Sequence, residues 1–234
     1  MHLLISIIIP TRNEPAVDDL ISKINEIMKP LNVNYNILAV DKSDDDTPDK
    51  LRTLGVEILV QKSKGLGGAV VEGLKAARGD LVFVMDADLS HDPKFMPLFI
   101  EKSKEGLDVV VGSRRIEGGE VIGWGLYRKM VSGIANFIGR LGSGLKISDI
   151  TSGYRLYRKT VIESLDFKDF KTSGYAFQIE VLSKALNKGF RIGEVPIVFY
   201  DRTEGKSKLS KKDIFEFLLT SVRLGIRRFK QTFS

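Results

Sequence analysis

The 234-residue chain has no cysteine and only two histidines, His2 and His91. The first absence excludes a disulfide scaffold, a thiol nucleophile and any cysteine-ligated zinc or iron–sulfur site, and it fits a reducing compartment; the second excludes a multi-histidine metal centre. Long apolar runs are missing too: none approaches the ~18–20 residues that span a bilayer. Met1–Pro10 lacks the basic flank and small-residue cleavage site of a secretory leader and reads as a first strand, so the chain is expected to be soluble or peripheral. Internal repeats and low-complexity linkers are absent, which makes a single domain the default. With 43% hydrophobic residues, that domain has ample material for a core.

Net acidity is lacking, and the charge that is present is unevenly placed. The net charge is +6, and Arg202–Ser234 holds nine Lys/Arg against three Asp/Glu, so Met1–Asp201 is balanced. A nucleic-acid reader spreads its cations over a face with stacking aromatics, and no nucleic-acid partner is expected. A basic tail joined to an apolar stripe points instead to an anionic membrane surface.

Short β-branched runs recur at Leu3–Ile9, Tyr35–Val40, Val56–Val60, Leu81–Met85 and Asp108–Val111. They alternate with helical patterns at Val17–Met28, Ala69–Ala77 and Pro93–Lys104, the last opened by an Asp92 cap. This is the signature of βαβ units and of an α/β fold with a mostly parallel sheet flanked by helices. The second half reads as a Gly-rich loop (Arg115–Gly125), an amphipathic helix, a polar segment (Asp149–Tyr157), a helix near Ala176–Asn187, a strand pair around Arg191–Tyr200, a basic loop and a last helix. Ligands of open α/β sheets sit beyond the carboxyl ends of the strands. The residues there are Pro10–Glu14, Asp41, Asp86-Ala87-Asp88 and Ser113-Arg114.

Asp86-Ala87-Asp88 follows directly on an apolar strand, which places two carboxylates at its carboxyl end. Such a pair suits a hard cation shared with substrate phosphate oxygens, with Mg2+ or Mn2+ as the expected cofactor. An isolated Asp-x-Asp is also common as a surface turn or helix cap, so its surroundings decide the case. Lys64-Gly65-Leu66-Gly67-Gly68 has neither the ending of a P-loop nor the spacing of a dinucleotide fingerprint, and is assigned to close backbone packing.

Those surroundings resemble the nucleotide-sugar glycosyltransferases of family two, with the GT-A (Rossmann-like) fold, and within them the dolichol-phosphate mannose synthase branch. The resemblance is carried by Ile7–Glu14, Val40-Asp41, Gly65–Ala69, Met85–His91, Gly112-Ser113-Arg114, Asp149–Arg155, Gly174–Gln178, Gly193–Pro196, Asp201-Arg202 and Ser207-Lys208-Leu209, and it covers nearly the whole chain. It implies mannose transfer from GDP-mannose to dolichyl phosphate with inversion, at the cytoplasmic face of a membrane. Pro10, Arg12, Glu14, Ala39 and Asp41 would line the nucleoside pocket, and Asp86, Ala87, Asp88, Arg114, Arg202 and Lys208 would meet the rest of the donor. Asp88, Arg114, Arg202 and Lys208 would be catalytic, the last two on a mobile loop over the donor diphosphate, whose polar stretch Thr203–Ser210 suits ordering on binding. Arg114, Arg128 and Ser132 would bind the acceptor phosphate. Asp86, Asp88 and Ser90 would hold the metal, with Ser90 where many relatives have Gln. The usual Asp-Asp-Gly-Ser motif reads Asp41-Lys42-Ser43-Asp44 here, which keeps UDP-glucose open as the donor. Arg115 and Lys129 read as solvated surface charges, and His91, Gln178 and Glu180 as structural residues.

Two helices carry apolar stripes. In Lys212–Lys230, Glu216, Thr220, Arg223, Arg227 and Lys230 form a polar line opposite Ile214, Phe215, Leu218, Leu219, Val222, Ile226 and Phe229. In Tyr127–Leu141 the apolar line is Met130, Val131, Ile134, Phe137, Ile138 and Leu141. Stripes of this kind pack on a core about as often as they meet a membrane, and the basic C-terminus favours the membrane. The expected organisation is a catalytic domain over 1–211, with 212–234 as a basic amphipathic helix of the same domain. Some family members continue into transmembrane helices and others rely on a small membrane-anchoring partner protein, which makes such a partner an expectation here. From a different class, a catalytically idle nucleotide-sugar-binding subunit is the alternative; the joint presence of Asp86, Asp88, Arg114, Arg202 and Lys208 argues against it.

Overall fold

A computed structural model describes residues 3–170, 176–201 and 211–232 of the chain. Its first strand, β1 (Leu4–Thr11), carries Ile5, Ile7, Ile8 and Ile9 with none exposed, as a strand covered on both faces requires. Alternation sends Ile7 and Ile9 to one hydrophobic layer and Ile8 to the other. Around β1 a seven-stranded sheet forms in the order β3-β2-β1-β4-β7-β5-β8, from β2 (Asn34–Asp41), β3 (Glu57–Val60), β4 (Leu81–Val84), β5 (Val109–Ser113), β7 (Arg155–Arg158) and β8 (Ile192–Pro196). All pairings are parallel except those of β7, which runs antiparallel to both β4 and β5. A second, two-stranded parallel sheet joins β6 (Glu120–Ile122) to β9 (Val198–Tyr200).

Helices α1 (Val17–Met28), α2 (Thr47–Thr53) and α4 (Met96–Lys104) contribute to one core layer; α3 (Gly65–Ala76), α6 (Lys159–Ser164) and α7 (Ala176–Asn187) contribute to the other. Asp92 caps the turn ahead of α4 by accepting from Lys94 N, as its sequence position predicts. Gly65–Gly68 are the first turn of α3 rather than a separate loop. A Cβ on Gly68 would collide with Ser63 and one on Gly73 with Ile8, so these glycines serve close packing.

The polar segment Asp149–Tyr157 runs at its end into β7, in the middle of the sheet. Arg155 conceals the strand: it is buried, in register with Val84 and Val111, and its guanidinium donates to the carbonyls of Ser152, Gln178 and Ile150. Each nitrogen of this buried guanidinium thus has a backbone acceptor in place of water, and Nη1 also donates to the Tyr157 hydroxyl.

α5 (Leu126–Ser143) and α8 (Lys211–Thr232) pack against each other, and α8 also touches α7. A Cβ on Gly142 would collide with the Ser221 carbonyl, and Gly225 lies against Gly142, so the two backbones approach closely at this seam. No helix among the described residues is long and apolar enough to cross a membrane.

Candidate active site

Two groups of side chains gather at the carboxyl end of the parallel strands. The first lies beyond β1, β2 and β4. Thr11 and Asp41 are parallel partners, and the buried Asp41 carboxylate accepts from Thr11 Oγ1 (2.7 Å), Ser43 Oγ (2.7 Å) and Ser43 N (3.1 Å). Asn13, left-handed at φ 55°, clasps the neighbouring loop: its Nδ2 donates to Asp44 Oδ1 (2.6 Å) and its Oδ1 accepts from Asp44 N (3.0 Å). Asparagine tolerates that conformation better than most residues. Glu14 N donates to Thr47 Oγ1, and Arg12 is exposed beside it. Ser43 and Asp44 therefore organise the loop that departs from the usual acidic motif. Ala39 is a correction: it is fully buried in the α1-side core and offers no surface to a nucleoside.

In Asp86-Ala87-Asp88 the middle residue is buried in the same core layer, and the two carboxylates are partly exposed. Asp88 Oδ1 accepts from both Ser90 N (3.1 Å) and Ser90 Oγ, across a left-handed Leu89 (φ 60°). Ser90 is buried, and both its donors orient Asp88. Like Ala39, Ala87 has its side chain in the core. Asp86 N donates to His91 Nδ1 at 3.1 Å, so that nitrogen carries no proton. Burial lowers the His91 pKa, against the pull of the Asp86 carboxylate 3.7 Å away. The ring stacks on Tyr154 at 5.0 Å and meets the Phe199 edge at 5.6 Å, a scaffold role as expected. A Cβ on Gly153 would come within 3.4 Å of Asp86 Oδ1 and of His91, so the glycine keeps the space beside the carboxylate open. Among the described residues no group of three or more His, Asp or Glu could enclose a metal without a substrate.

The second group starts where β5 ends. Arg114 Nε and Nη2 bind Asp149 at 2.6 and 2.8 Å, Arg114 N adds a third bond at 3.1 Å, and the Asp149 side chain is completely buried. Burial would raise the pKa of Asp149, but the Arg114 charge and hydrogen bonds, with the Thr151 hydroxyl, hold it at about 2. Thr151 also accepts from Arg114 Nη2 and from Asn136 Nδ2, which ties Arg114 to α5. Trp124 lies under two guanidinium groups, Arg128 at 4.1 Å and Arg114 at 5.3 Å, and its ring edge meets Phe199. Arg128 Nη1 pairs with Asp201 at 2.7 Å. A cavity of about 270 Å³ opens here, lined by Arg114, Arg115, Glu120, Trp124, Lys129 and Ser132 among others. Arg115, whose Nη2 donates to Ser132 Oγ at 2.9 Å, and Lys129 are both exposed, in keeping with their reading as surface charges, and both line this cavity. Arg202 and Lys208 lie outside the described residues.

The apolar stripes of α5 and α8 point outward. Leu126, Tyr127, Met130, Ile134, Phe137 and Leu141 are exposed on α5, and Phe215, Leu218, Leu219, Val222, Ile226 and Phe229 on α8. Thr220, placed on the polar line from the sequence, is buried against the fold with Phe217, Ser221 and Leu224. Sequence reasoning gave no role to Trp124 or Asn136, and placed Asp149 and Thr151 without one. The chain's sole tryptophan, between two glycines and close to Arg128, is the signal that was available.

The Glycosyl transferase family 2 model matches residues 6–166, which takes in the loops after β1 and β2, the Asp86-Ala87-Asp88 turn and the cation-lined wall. The chain belongs to this family. It is 40% identical over 233 residues to a dolichol-phosphate mannosyltransferase of Pyrococcus furiosus, covering 94% of this chain and 63% of that longer protein. An undecaprenyl-phosphate mannosyltransferase of Micrococcus luteus is 35% identical, with 94% of this chain and 93% of the relative covered. A polyprenol monophosphomannose synthase of Mycolicibacterium smegmatis is 36% identical over 94% and 86%. Among solved structures, glucosyl-3-phosphoglycerate synthase from Mycobacterium tuberculosis, crystallised with Mn2+, UDP-glucose and phosphoglyceric acid, superposes with a TM-score of 0.71 at 22% identity, over 94% of this chain and 80% of that one. Mannosyl-3-phosphoglycerate synthase from Rubrobacter xylanophilus gives 0.70 at 22%, over 98% and 75%. These two show the GT-A glycosyltransferase fold.

Proposed function

We propose that this family member transfers mannose from GDP-mannose to a polyprenyl phosphate, with dolichyl phosphate as the acceptor, and inverts the anomeric centre. The observation that carries the reading is a cation-lined cavity at the foot of a helix whose apolar face is turned outward. A phosphate monoester on a long hydrocarbon needs both features side by side. The names of the three mannosyltransferase relatives support the same substrate class.

The donor's nucleoside takes the loops at Pro10, Arg12, Glu14 and Asp41, and its diphosphate lies toward Asp86 and Asp88. Two hard carboxylate donors with open space beside Gly153 fit Mg2+ or Mn2+, the remaining coordination being left to phosphate oxygens and water. When bound, the ion supplies charge neutralisation for the departing diphosphate. Ser90 holds Asp88 in position. The acceptor phosphate enters beside Trp124, where Arg114 and Arg128 lie over its ring and Ser132 lines the same cavity. One of its oxygens attacks the anomeric carbon in line, the new C–O bond forms as the bond to the nucleoside diphosphate breaks, and the electron pair leaves with GDP. The acceptor is already ionised at neutral pH, so the chain needs no general base. Arg202 and Lys208 are assigned to the leaving diphosphate. The outward faces of α5 and α8 hold the protein peripherally on the membrane that contains the acceptor, each fully buried Leu or Phe contributing about 1.5–3 kcal/mol. A small membrane partner would add to this anchoring.

The test is transfer of labelled sugar to dolichyl phosphate, scored as organic-extractable label, from GDP-mannose and separately UDP-glucose, with and without Mg2+ or Mn2+. Metal-dependent product from GDP-mannose alone is expected. Product from UDP-glucose alone would move the donor assignment to the altered Asp41-Lys42-Ser43-Asp44 loop's other reading. Donor binding without any product, in detergent and in vesicles alike, would favour an idle binding subunit.

A further inference from the structure

Four cations crowd the acceptor end, and they are of two kinds. Arg114 is fork-bonded to Asp149, and Arg128 is paired with Asp201, so each of these charges already faces a carboxylate. Arg115 and Lys129 have no carboxylate within ion-pairing distance among the described residues, and both line the cavity beside Ser132. Glu120 is on the same wall. One uncommitted cation opposite Glu120 would leave the cavity electrically even; two leave it attractive to an anion.

We infer that Arg115 and Lys129, with the Ser132 hydroxyl between them and the bound group, supply the surplus positive charge that receives the acceptor's phosphate monoester. The inference rests on the function proposed above. Arg114 on the wall, and Arg128 over the ring of Trp124, contribute donors, but their carboxylate partners have already consumed their net charge. A phosphate monoester approaches two negative charges near neutral pH, and an arginine fork with a neighbouring ammonium matches it in geometry and in charge. Arg115 is the stronger of the two, because its Nη2 is already aimed at the hydroxyl that shares the ligand.

Trp124, the sole tryptophan, lines the cavity, so intrinsic fluorescence reports its occupancy without a label. The wild-type chain, Arg115→Gln, Lys129→Gln and Arg115→Lys are titrated with a soluble short-chain isoprenyl phosphate and, separately, with inorganic phosphate. GDP-mannose affinity is measured in parallel to confirm that the donor end is intact. Each Gln variant is expected to weaken isoprenyl phosphate binding about tenfold or more with donor affinity unchanged, and Arg115→Lys to recover part of the loss. If the wild type binds isoprenyl phosphate and both Gln variants match it within about twofold, the inference fails and the proposed function stands. If the wild type binds the donor but not isoprenyl phosphate, the function it rests on fails with it. Equal affinity for inorganic phosphate and isoprenyl phosphate would make this a general phosphate site and overturn the lipid assignment.

Discussion

Helices α1 and α5 have similar amphipathic patterns in sequence and opposite orientations in the fold. α1 buries Val17, Leu20, Ile21, Ile24 and Met28 against the sheet. α5 buries Asn136, Gly139 and Ser143, and leaves Leu126, Tyr127 and Phe137 exposed at 87%, 76% and 68%. α8 follows α5, with Thr220 and Ser221 inside and Phe215 and Phe229 outside. Periodicity therefore establishes that a helix has an apolar face, and the residues of the opposite face decide where that face goes. Gly142 lets the α8 backbone approach closely and Gly139 leaves room for the Phe217 ring, so α5 docks through its small, polar side. A contiguous outward apolar surface on two adjacent helices marks an interaction site rather than ordinary surface.

The contrast is broken most severely by cutting the buried polar wall behind α5. Asp149→Ala strands the Arg114 guanidinium and is expected to cost about 3–5 kcal/mol in urea unfolding, together with acceptor binding. The same pair carries a pH dependence. The folded pKa of Asp149, about 2, lies below the unfolded value of 3.8, so its contribution is fully present above about pH 4 and is lost as pH falls through 2. Asp149→Asn should flatten that part of the acid-unfolding profile. On the inward-facing helix, Leu20→Ala should cost about 2–5 kcal/mol, the usual penalty for a core cavity. Gly142→Ala forces the α5–α8 seam apart and should cost about 1–3 kcal/mol, with a matching loss of membrane binding. Phe137→Ser should change stability by no more than about 0.5 kcal/mol, yet weaken co-sedimentation with anionic vesicles. A cost for Phe137→Ser as large as that for Leu20→Ala would mean that the outward face is a covered one.

The end of the sheet beyond β1, β2 and β4 was the more legible part of the molecule. Apolar runs located the strands of the first half, and Asp86-Ala87-Asp88 announced its position by following one directly. The cation-lined end was harder to read because its order comes from contacts between distant segments. Arg155 hid β7 by placing a charge in a central strand, and Ala39 looked like a pocket residue because the pattern names its position but not its burial. Whether Arg115 or Arg114 is already paired depends on Asp149, 35 residues from Arg114 in sequence, and no local spacing encodes that. The direction of the α5 and α8 stripes was likewise undecided until Gly142 met Ser221.

The central claim, that a lipid-borne phosphate is delivered to the cation cavity from the membrane side, has one direct test. Mannose transfer from GDP-mannose is compared for polyprenyl phosphate held in vesicles and for a soluble short-chain isoprenyl phosphate, using the wild type and a Phe137→Ser, Phe229→Ser double variant. The account predicts that the variant loses most of its transfer to the vesicle-borne acceptor and keeps its transfer to the soluble one. Equal rates for variant and wild type on both acceptors, or equal loss on both, would contradict it.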